Sequence, residues 1–434
     1  MSSVRDDPAM PLYYFLLHLW LHLGDGEAFI RSLSLIFFVA SVPLIYAVAS
    51  RLAGTRVALV ATVLLTLNQN AVHRAQEARG YSLTLFLVIL ATYLAIRLIE
   101  ASGRRVLIAY VATALLAVTS HAFALFAVSA HSVVFIVARR HRVPWRTVGM
   151  IVGVIITTGL LLWFGPLGEA VRKHRFSWIA QVPASRVLIP IGVLTGQGSG
   201  RFPIPYLIVS GVGVIALALR LRNKDERWKA AVPLAWLLVP LIGSFTASFF
   251  YPMFFARYLV VVVPALIIVA AIGVTTIKPS FAAIAVSLVI IFIATQSLNA
   301  EYRETKNEEW RAATRSILAR AEPGDEIIFF HPNGANPYAY YVENADATSR
   351  APRMLWPLND PKTGGFVRPP IESIPNKLEY AKGRLWLVNA YDSLDERAQI
   401  LTDDIRQAIV ARYELEDFQI FRGGIRVSLF ERAT

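Results

Sequence analysis

The sequence predicts a polytopic α-helical membrane protein of about ten spans, followed by a small extracytoplasmic α/β domain at the C-terminus. Three observations carry that expectation. Of 434 residues, 55% are hydrophobic and only 17% are charged, and the mean hydropathy is +0.50; a water-soluble globule of this composition would expose large apolar patches. Apolar stretches of about 17 to 25 residues, the length that crosses a hydrocarbon layer about 30 Å thick, recur along the first 300 residues. Beyond that point Glu, Asp, Arg, Asn and Pro become frequent and no spanning run follows, which divides the chain into 1–299 and 300–434.

Candidate spans lie near 31–50, 55–69, 80–98, 105–120, 122–138, 147–165, 203–220, 229–247, 257–275 and 280–297, with 187–197 as a re-entrant or interfacial piece. Alternate loops carry the cations: Arg51 and Arg56; Arg97, Arg104 and Arg105; Arg139, Arg140, Arg142 and Arg146; Arg220, Arg222, Lys224, Arg227 and Lys229; and Lys278. By the positive-inside rule these loops are cytoplasmic. The other set, residues 70–79, the turn at Ser120-His121, the 166–202 loop, 248–256 and the C-terminal domain, then faces outward. These spans and loops describe an integral membrane protein with its C-terminal domain outside. A net charge of +13 is explained by topology and anionic lipid, not by nucleic acid. The absence of cysteine excludes disulfides, thiolate metal sites and thiol nucleophiles, and MSSVRDDPAM lacks the basic head and apolar run of a cleavable signal.

In the tail, NEEWRAATRSILARA (307–321) puts Trp310, Ile317 and Leu318 on roughly one helical face, and Pro323-Gly324-Asp325 turns into a strand, EIIFF. RLWLVNA (384–390) reads as a buried strand and DERAQILTDDIRQAIVARY as an amphipathic helix. FQIFRGGIRVSLFER reads as a hairpin turning at Gly423-Gly424. No glycine-rich phosphate loop or catalytic signature marks this domain, so a substrate-shaping or partner-docking cap is the expectation.

Acids and lysines are almost absent from the spans, which argues against a coupled transporter or ion pump. His131 is the main mid-span exception, and its default reading is a hydrogen-bonded helix contact. The ionisable groups collect at the outer helix ends, an arrangement suited to a substrate with a lipid tail in the bilayer and a polar head at its surface. Four outer segments stand out. In DDPAMPLYYFLLHLWLHLG, His18 and His22 share a helical face; an interfacial helix with Tyr13, Tyr14 and Trp20 in the headgroup belt is favoured over a metal site. In AVHRAQEARGYSL, Glu77 and Arg79 read either as an exposed loop pair or as a site in which partial desolvation raises the basicity of a general base. His121, in the tight turn TSHAF, can donate to a phosphate or help hold a divalent ion. Arg257-Tyr258 opens a span, either as an interfacial anchor or as a guanidinium gripping a phosphate oxygen.

Taken together and in this order, these segments resemble the C-type glycosyltransferases of bacterial membranes, in the branch similar to protein O-mannosyltransferases and the lipid A aminoarabinose transferase. The matching elements are DDPAMPLYYFLLHLWLHLG, EAFIRSLSLIFFVASVPLIYAVASRLAG, AQEARGYSLTLFL, SHAFAL, FSWIAQVPAS and ARYLVVVVPAL, covering about the first 300 residues. The resemblance implies a transferase that moves a sugar from a polyprenyl-phosphate donor to an outward-facing acceptor hydroxyl on a lipid, glycan or protein. A carboxylate would take the acceptor proton, while cations and a histidine, sometimes with a divalent Mg or Mn ion, stabilise the departing lipid phosphate. Transferred to this sequence, Glu77 matches the second acidic position, His121 the turn histidine and Arg257 the phosphate-facing arginine. His73, Arg79 and Tyr258 complete the expected substrate contacts.

Relatives begin with one further span and an acidic pair before the Pro-Leu-Tyr-Tyr helix, and this chain starts almost at that helix. The leading expectation is a start assigned too late; a degenerate copy is a second, and Asp6 or Asp7 acting as the base a third. The chain as it stands is expected to transfer little sugar. The rivals from other classes are a lipid-linked sugar flippase, which should show internal repeats and mid-membrane polar residues that are not found, and a non-catalytic polyprenyl-lipid-binding protein.

Overall fold

A computed structural model describes residues 11–138, 145–165, 188–196, 204–250, 254–303, 309–330, 332–359, 366–367, 374, 378, 383–390 and 407–433. The chain separates into two compact units, one essentially residues 3–300 and the other 301–434. Asp6, Asp7, the FSWIAQVPAS segment, Arg139 to Arg142 and most of the 395–413 stretch lie outside the described residues.

The first unit is helical. Its elements are α1 (Pro11–Trp20), α2 (Glu27–Ala53), α3 (Thr55–Thr66), α4 (Gln69–Ala75), α5 (Tyr81–Glu100), α6 (Arg104–Ser120) and α7 (Ala124–Ala138). They continue with α8 (Trp145–Phe164), α9 (Leu188–Leu194), α10 (Ile204–Arg220), α11 (Arg227–Ser248), α12 (Val263–Thr276) and α13 (Ser280–Arg303). A 3-10 turn, Tyr258–Val262, runs straight into α12.

Among the described residues five helices are long and apolar enough to cross a membrane: Glu27–Ala53, Tyr81–Glu100, Arg227–Ser248, Tyr258–Thr276 and Ser280–Arg303. Three more of the ten segments read in the sequence form shorter apolar helices. The apolar helices Thr55–Thr66, Ala124–Ala138 and Ile204–Arg220 have 10–17 residues, which at about 1.5 Å per residue is at most about 26 Å, short of a full hydrocarbon layer. The seven-residue α9 cannot cross at all.

The hydrophobic residues of Tyr258–Thr276 are buried almost throughout, so this span is the core of the unit. Trp236 of α11 donates its indole N–H to the Val261 carbonyl at 2.9 Å. On its other side α12 meets α10 backbone to backbone. A Cβ on Gly213 would lie 2.0 Å from the Val269 carbonyl oxygen, and one on Gly273 would lie 1.8 Å from that of Val209. Small residues at such crossings let helices pack closely in lipid, where no hydrophobic effect drives them together. His131 is a hydrogen-bonded helix contact: its Nε2 sits 3.0 Å from the Thr92 hydroxyl and its Nδ1 3.1 Å from the Tyr110 hydroxyl.

α2 and α5 lie side by side and run the same way. The Ser34 hydroxyl donates to the Arg79 carbonyl near one end (3.3 Å), and Arg51 meets the Glu100 carboxylate at the other (2.5 Å). The first of these ends carries the candidate site.

The second unit holds a five-stranded sheet of order β2-β1-β5-β7-β6, formed by β1 (Glu326–Phe330), β2 (Arg353–Trp356), β5 (Leu385–Asn389), β6 (Tyr413–Phe421) and β7 (Ile425–Arg432). A short pair, β3 (Leu358–Asn359) and β4 (Phe366–Val367), stands apart. β1 runs parallel to β2 and β5, while β7 is antiparallel to β5 and β6. EIIFF and LWLVN are buried at every position because they lie in the middle of the sheet. The β6–β7 hairpin turns at Gly423 (φ 78°) and Gly424 (φ 81°), a conformation that glycine adopts without strain. Helix α14 (Trp310–Arg320) packs Trp310, Ala313 and Ile317 against Phe329, Val427 and Leu429. Asp325, at the mouth of β1, is buried and fully engaged: it accepts from Arg384 at 3.0 and 3.1 Å and from the Trp386 indole at 2.8 Å.

Gly213→Ala is expected to lower stability by about 1–3 kcal/mol through overpacking, whereas Gly211→Ala, with open space around it, should not. Thermal unfolding of the detergent-solubilised chain followed by tryptophan fluorescence checks this; equal midpoints for the two variants would remove the close-crossing account.

Candidate active site

The site begins with Asn68, whose side-chain oxygen accepts the Ala71 N–H at 2.9 Å and starts α4. One turn later the helix presents His73 and Arg74, and the chain leaves it through Gln76 and Glu77. Spacings of three and four residues put all three ionisable groups on one face. Arg74 Nη1 reaches both carboxylate oxygens of Glu77, at 2.6 and 2.7 Å, and His73 Nε2 stands 3.5 Å away.

This geometry reverses the expectation that desolvation makes Glu77 a stronger base. Burial does push the carboxyl up, but the His73 hydrogen bond and the Arg74 charge outweigh it and hold the pKa at about 2. Glu77 is therefore an ionised clamp on Arg74, and a proton acceptor of that pKa is weak at neutral pH.

From Gly80 the chain enters α5, and the first side chain inward, Tyr81, is buried and organises the rest. The Arg74 guanidinium lies 5.4 Å from its ring centroid. Arg79 is within side-chain hydrogen-bond reach of its hydroxyl, and Arg257 and Glu77 also act on that hydroxyl electrostatically. Arg79 itself stands at the surface.

His121 closes the wall. It follows the last residue of α6, is 2% exposed, and its ring centroid lies 5.7 Å from Tyr81, 5.5 Å from Phe123 and 5.4 Å from Tyr258. Its Nδ1 accepts the Phe123 N–H at 3.2 Å, so the proton of the neutral ring is on Nε2. Nε2 is buried and has no hydrogen-bond partner among the described residues. Burial holds the imidazole near a pKa of about 4, hence neutral at physiological pH. Arg257 stacks on Phe255 at 4.6 Å and on Tyr258 at 5.8 Å, which fixes the direction of the guanidinium.

The structure thus brings together His73, Glu77, Arg79, His121, Arg257 and Tyr258. His18 and His22 are outside the group: both are exposed, and their rings contact each other at 5.1 Å. Asp6 and Asp7 lie outside the described residues. Among the described residues no three His, Asp or Glu side chains converge to hold a metal ion. Glu77 is already engaged by Arg74, so the described residues do not fit a Mg or Mn site. Two members of the cluster, Arg74 and Tyr81, are not among the site residues that the sequence predicts. The Arg-x-x-Glu spacing was the available signal for the first; for Tyr81 only its place directly after Arg-Gly at a helix start could have served.

Residues 6–163 match the family described as dolichyl-phosphate-mannose-protein mannosyltransferase. Across 97% of the chain the fold aligns with ArnT from Cupriavidus metallidurans in the apo state, covering 87% of that chain at TM-score 0.57 and 12% identity. This chain shares the fold of ArnT. The same ArnT bound to undecaprenyl phosphate aligns at TM-score 0.55 and 12% identity over 97% of this chain and 87% of that one. The Archaeoglobus fulgidus oligosaccharyltransferase in complex with Zn and sulfate aligns at 0.55 and 13%, again over 97% of this chain, which spans 64% of that longer protein. No curated protein matches the sequence.

Because its pKa is lowered on folding, Glu77 contributes stability that is fully present above its ordinary value of 4.5 and is lost as pH falls towards about 2. Glu77→Gln should therefore cost on the order of 1–2 kcal/mol at pH 7, the side chain being partly solvated, and progressively less below pH 4. Unfolding midpoints of both proteins between pH 3 and 7 check this; a constant gap across that range would contradict it.

Proposed function

We propose that the protein is a C-type glycosyltransferase that moves a sugar from a polyprenyl-phosphate donor to an acceptor hydroxyl at the extracytoplasmic membrane surface. The observation that carries this reading is a pair of buried donors that find no hydrogen-bond partner among the described residues, Arg74 Nε and His121 Nε2, on side chains that both pack against Tyr81. Unsatisfied buried donors are costly in a folded protein. A ligand rich in acceptor oxygens relieves that cost, and a phosphate held in a bilayer by its own lipid tail arrives at this depth. The family match and the ArnT structure bound to undecaprenyl phosphate support the same substrate class.

Sidedness rests on the cation-rich loops. Arg51, Arg56, Arg97, Arg104 and Arg105 stand at the helix ends opposite those bearing Glu77 and His121, which by the positive-inside rule turns the site outward. Residues 301–434 then follow α13 on the extracytoplasmic side, and the protein belongs to the bacterial inner membrane.

In the transfer itself the sugar–phosphate bond breaks as the acceptor oxygen attacks the anomeric carbon. The acceptor proton passes to solvent water, and the bond electrons remain on the lipid phosphate. Arg257 and Arg79 neutralise that growing charge, and His121 Nε2–H donates to it as a neutral group. Arg74, turned by Glu77 and Tyr81, adds a third guanidinium. With Glu77 locked as an anion, its part is to orient this array.

The test is turnover by the full chain in liposomes carrying an undecaprenyl-phosphate sugar, read as released undecaprenyl phosphate. Arg257→Ala and His121→Phe should each lower kcat by about 10²–10³-fold, the scale of losing one transition-state donor, with unfolding midpoints near wild type. Wild-type chain that binds undecaprenyl phosphate without turning over any such donor would instead make this a lipid-binding protein.

A further inference from the structure

Asn68 lies between two parts of the chain that the site needs and that are far apart in sequence. Its side chain is 2% exposed. The oxygen starts α4, the helix that carries His73 and Arg74 and leads to Glu77. The amide nitrogen points the other way and donates to the carbonyl of Leu194, 126 residues on, at 3.1 Å. That carbonyl belongs to the last residue of α9.

Around it the chain is shaped to receive the amide. Past the end of α9 the Thr195 N–H and the Gly196 N–H bond back to the carbonyls of Gly192 and Val193, at 3.2 and 3.0 Å. The Thr195 hydroxyl also returns to Gly192. Gly196 adopts φ +72°, and a Cβ there would fall 2.7 Å from Asn68 Nδ2 and 2.8 Å from the Gln69 backbone nitrogen. Glycine is thus required twice over at 196, by conformation and by contact. Leu194 and Thr195 are themselves buried, and α9 packs on the 3-10 turn that begins at Tyr258.

From these contacts we infer that Asn68 is a positioning residue: it ties the α4 limb, with Arg74 and Glu77, through α9 to the Tyr258 limb, so that the two halves of the phosphate site keep a fixed spacing. The inference rests on the proposed transferase reading for its catalytic consequence and on the hydrogen bonds alone for its structural one. A residue of this kind is easily overlooked, since it touches neither substrate nor charge. Its two bonds are separable by substitution, because aspartate keeps the capping oxygen and loses the amide donor.

The experiment compares the full chain with Asn68→Asp, Asn68→Ala and Gly196→Ala in liposomes, by turnover of an undecaprenyl-phosphate sugar and by hydrogen–deuterium exchange. Asn68→Asp should unfold within a few degrees of wild type, because the α4 cap survives. It should show faster exchange over 188–196 and at 258–262. Its kcat should fall about ten-fold, the scale of one buried hydrogen bond, with KM for the donor changed less. Gly196→Ala should reproduce the exchange pattern, and Asn68→Ala should add faster exchange in 69–75. Unchanged exchange at both 188–196 and 258–262 in Asn68→Asp would overturn the tie, and so would wild-type kcat in that variant. If wild type turns over no such donor, the transferase reading fails by itself, while the exchange data still decide the role of Asn68.

Discussion

A guanidinium can rest between two apolar helices only where something takes its charge, and Arg74 has two such neighbours. Glu77 grips Nη1 with both oxygens, and the Tyr81 ring lies 5.4 Å from the guanidinium carbon. That arrangement lets the chain turn from α4 into α5 at the rim of the helix set without leaving a bare cation against apolar side chains. Everything further in depends on it. Tyr81, once held, forms the wall on which His121 leans, and His121 in turn meets Tyr258 across from Arg257. The polar cluster is therefore one continuous stack of rings and guanidiniums built from three distant parts of the sequence.

Much of this was legible from side-chain chemistry alone. The sorting of ionised groups to helix ends is a direct consequence of the energy of charge in hydrocarbon, so Glu77, His121 and Arg257 could be picked out before any geometry was known. The strands EIIFF and LWLVN, and the Gly423-Gly424 turn, were readable for similarly local reasons. What could not be read was the state of Glu77. Its pKa is decided by which of burial, His73 and Arg74 dominates, and that balance depends on distances of a few tenths of an ångström. Sequence spacing permits the Arg74 contact but also permits both groups to face water. Helix ends are hard to read for a related reason: an apolar run such as 55–69 reads as a span, but the helix gives way at Leu67 to the Asn68 cap.

The core imposes a second constraint. α12 is buried on nearly all sides, and α10 approaches it so closely that Gly213 and Gly273 leave no room for a Cβ. In a membrane such contact must be made by shape, because lipid offers apolar side chains as good an environment as another helix does. The 3-10 turn bearing Tyr258 is continuous with α12, and Trp236 fixes it through the Val261 carbonyl. The aromatic side of the site is therefore mounted on the most deeply buried of the candidate spans. The α4 side sits on a helix of seven residues, too short to hold a direction unaided.

This asymmetry bears on how His121 can serve a charged ligand. Three guanidiniums already act around Tyr81, and a protonated imidazole beside them would add repulsion with little room for water to screen it. Burial keeps the ring neutral above a pH of about 4. The Phe123 N–H occupies Nδ1, so the proton remains on Nε2 and cannot move to the other nitrogen without breaking that bond. The histidine is thereby a donor of fixed direction whose strength does not change across the physiological range. A neutral donor of this kind binds an oxyanion less tightly than a cation would.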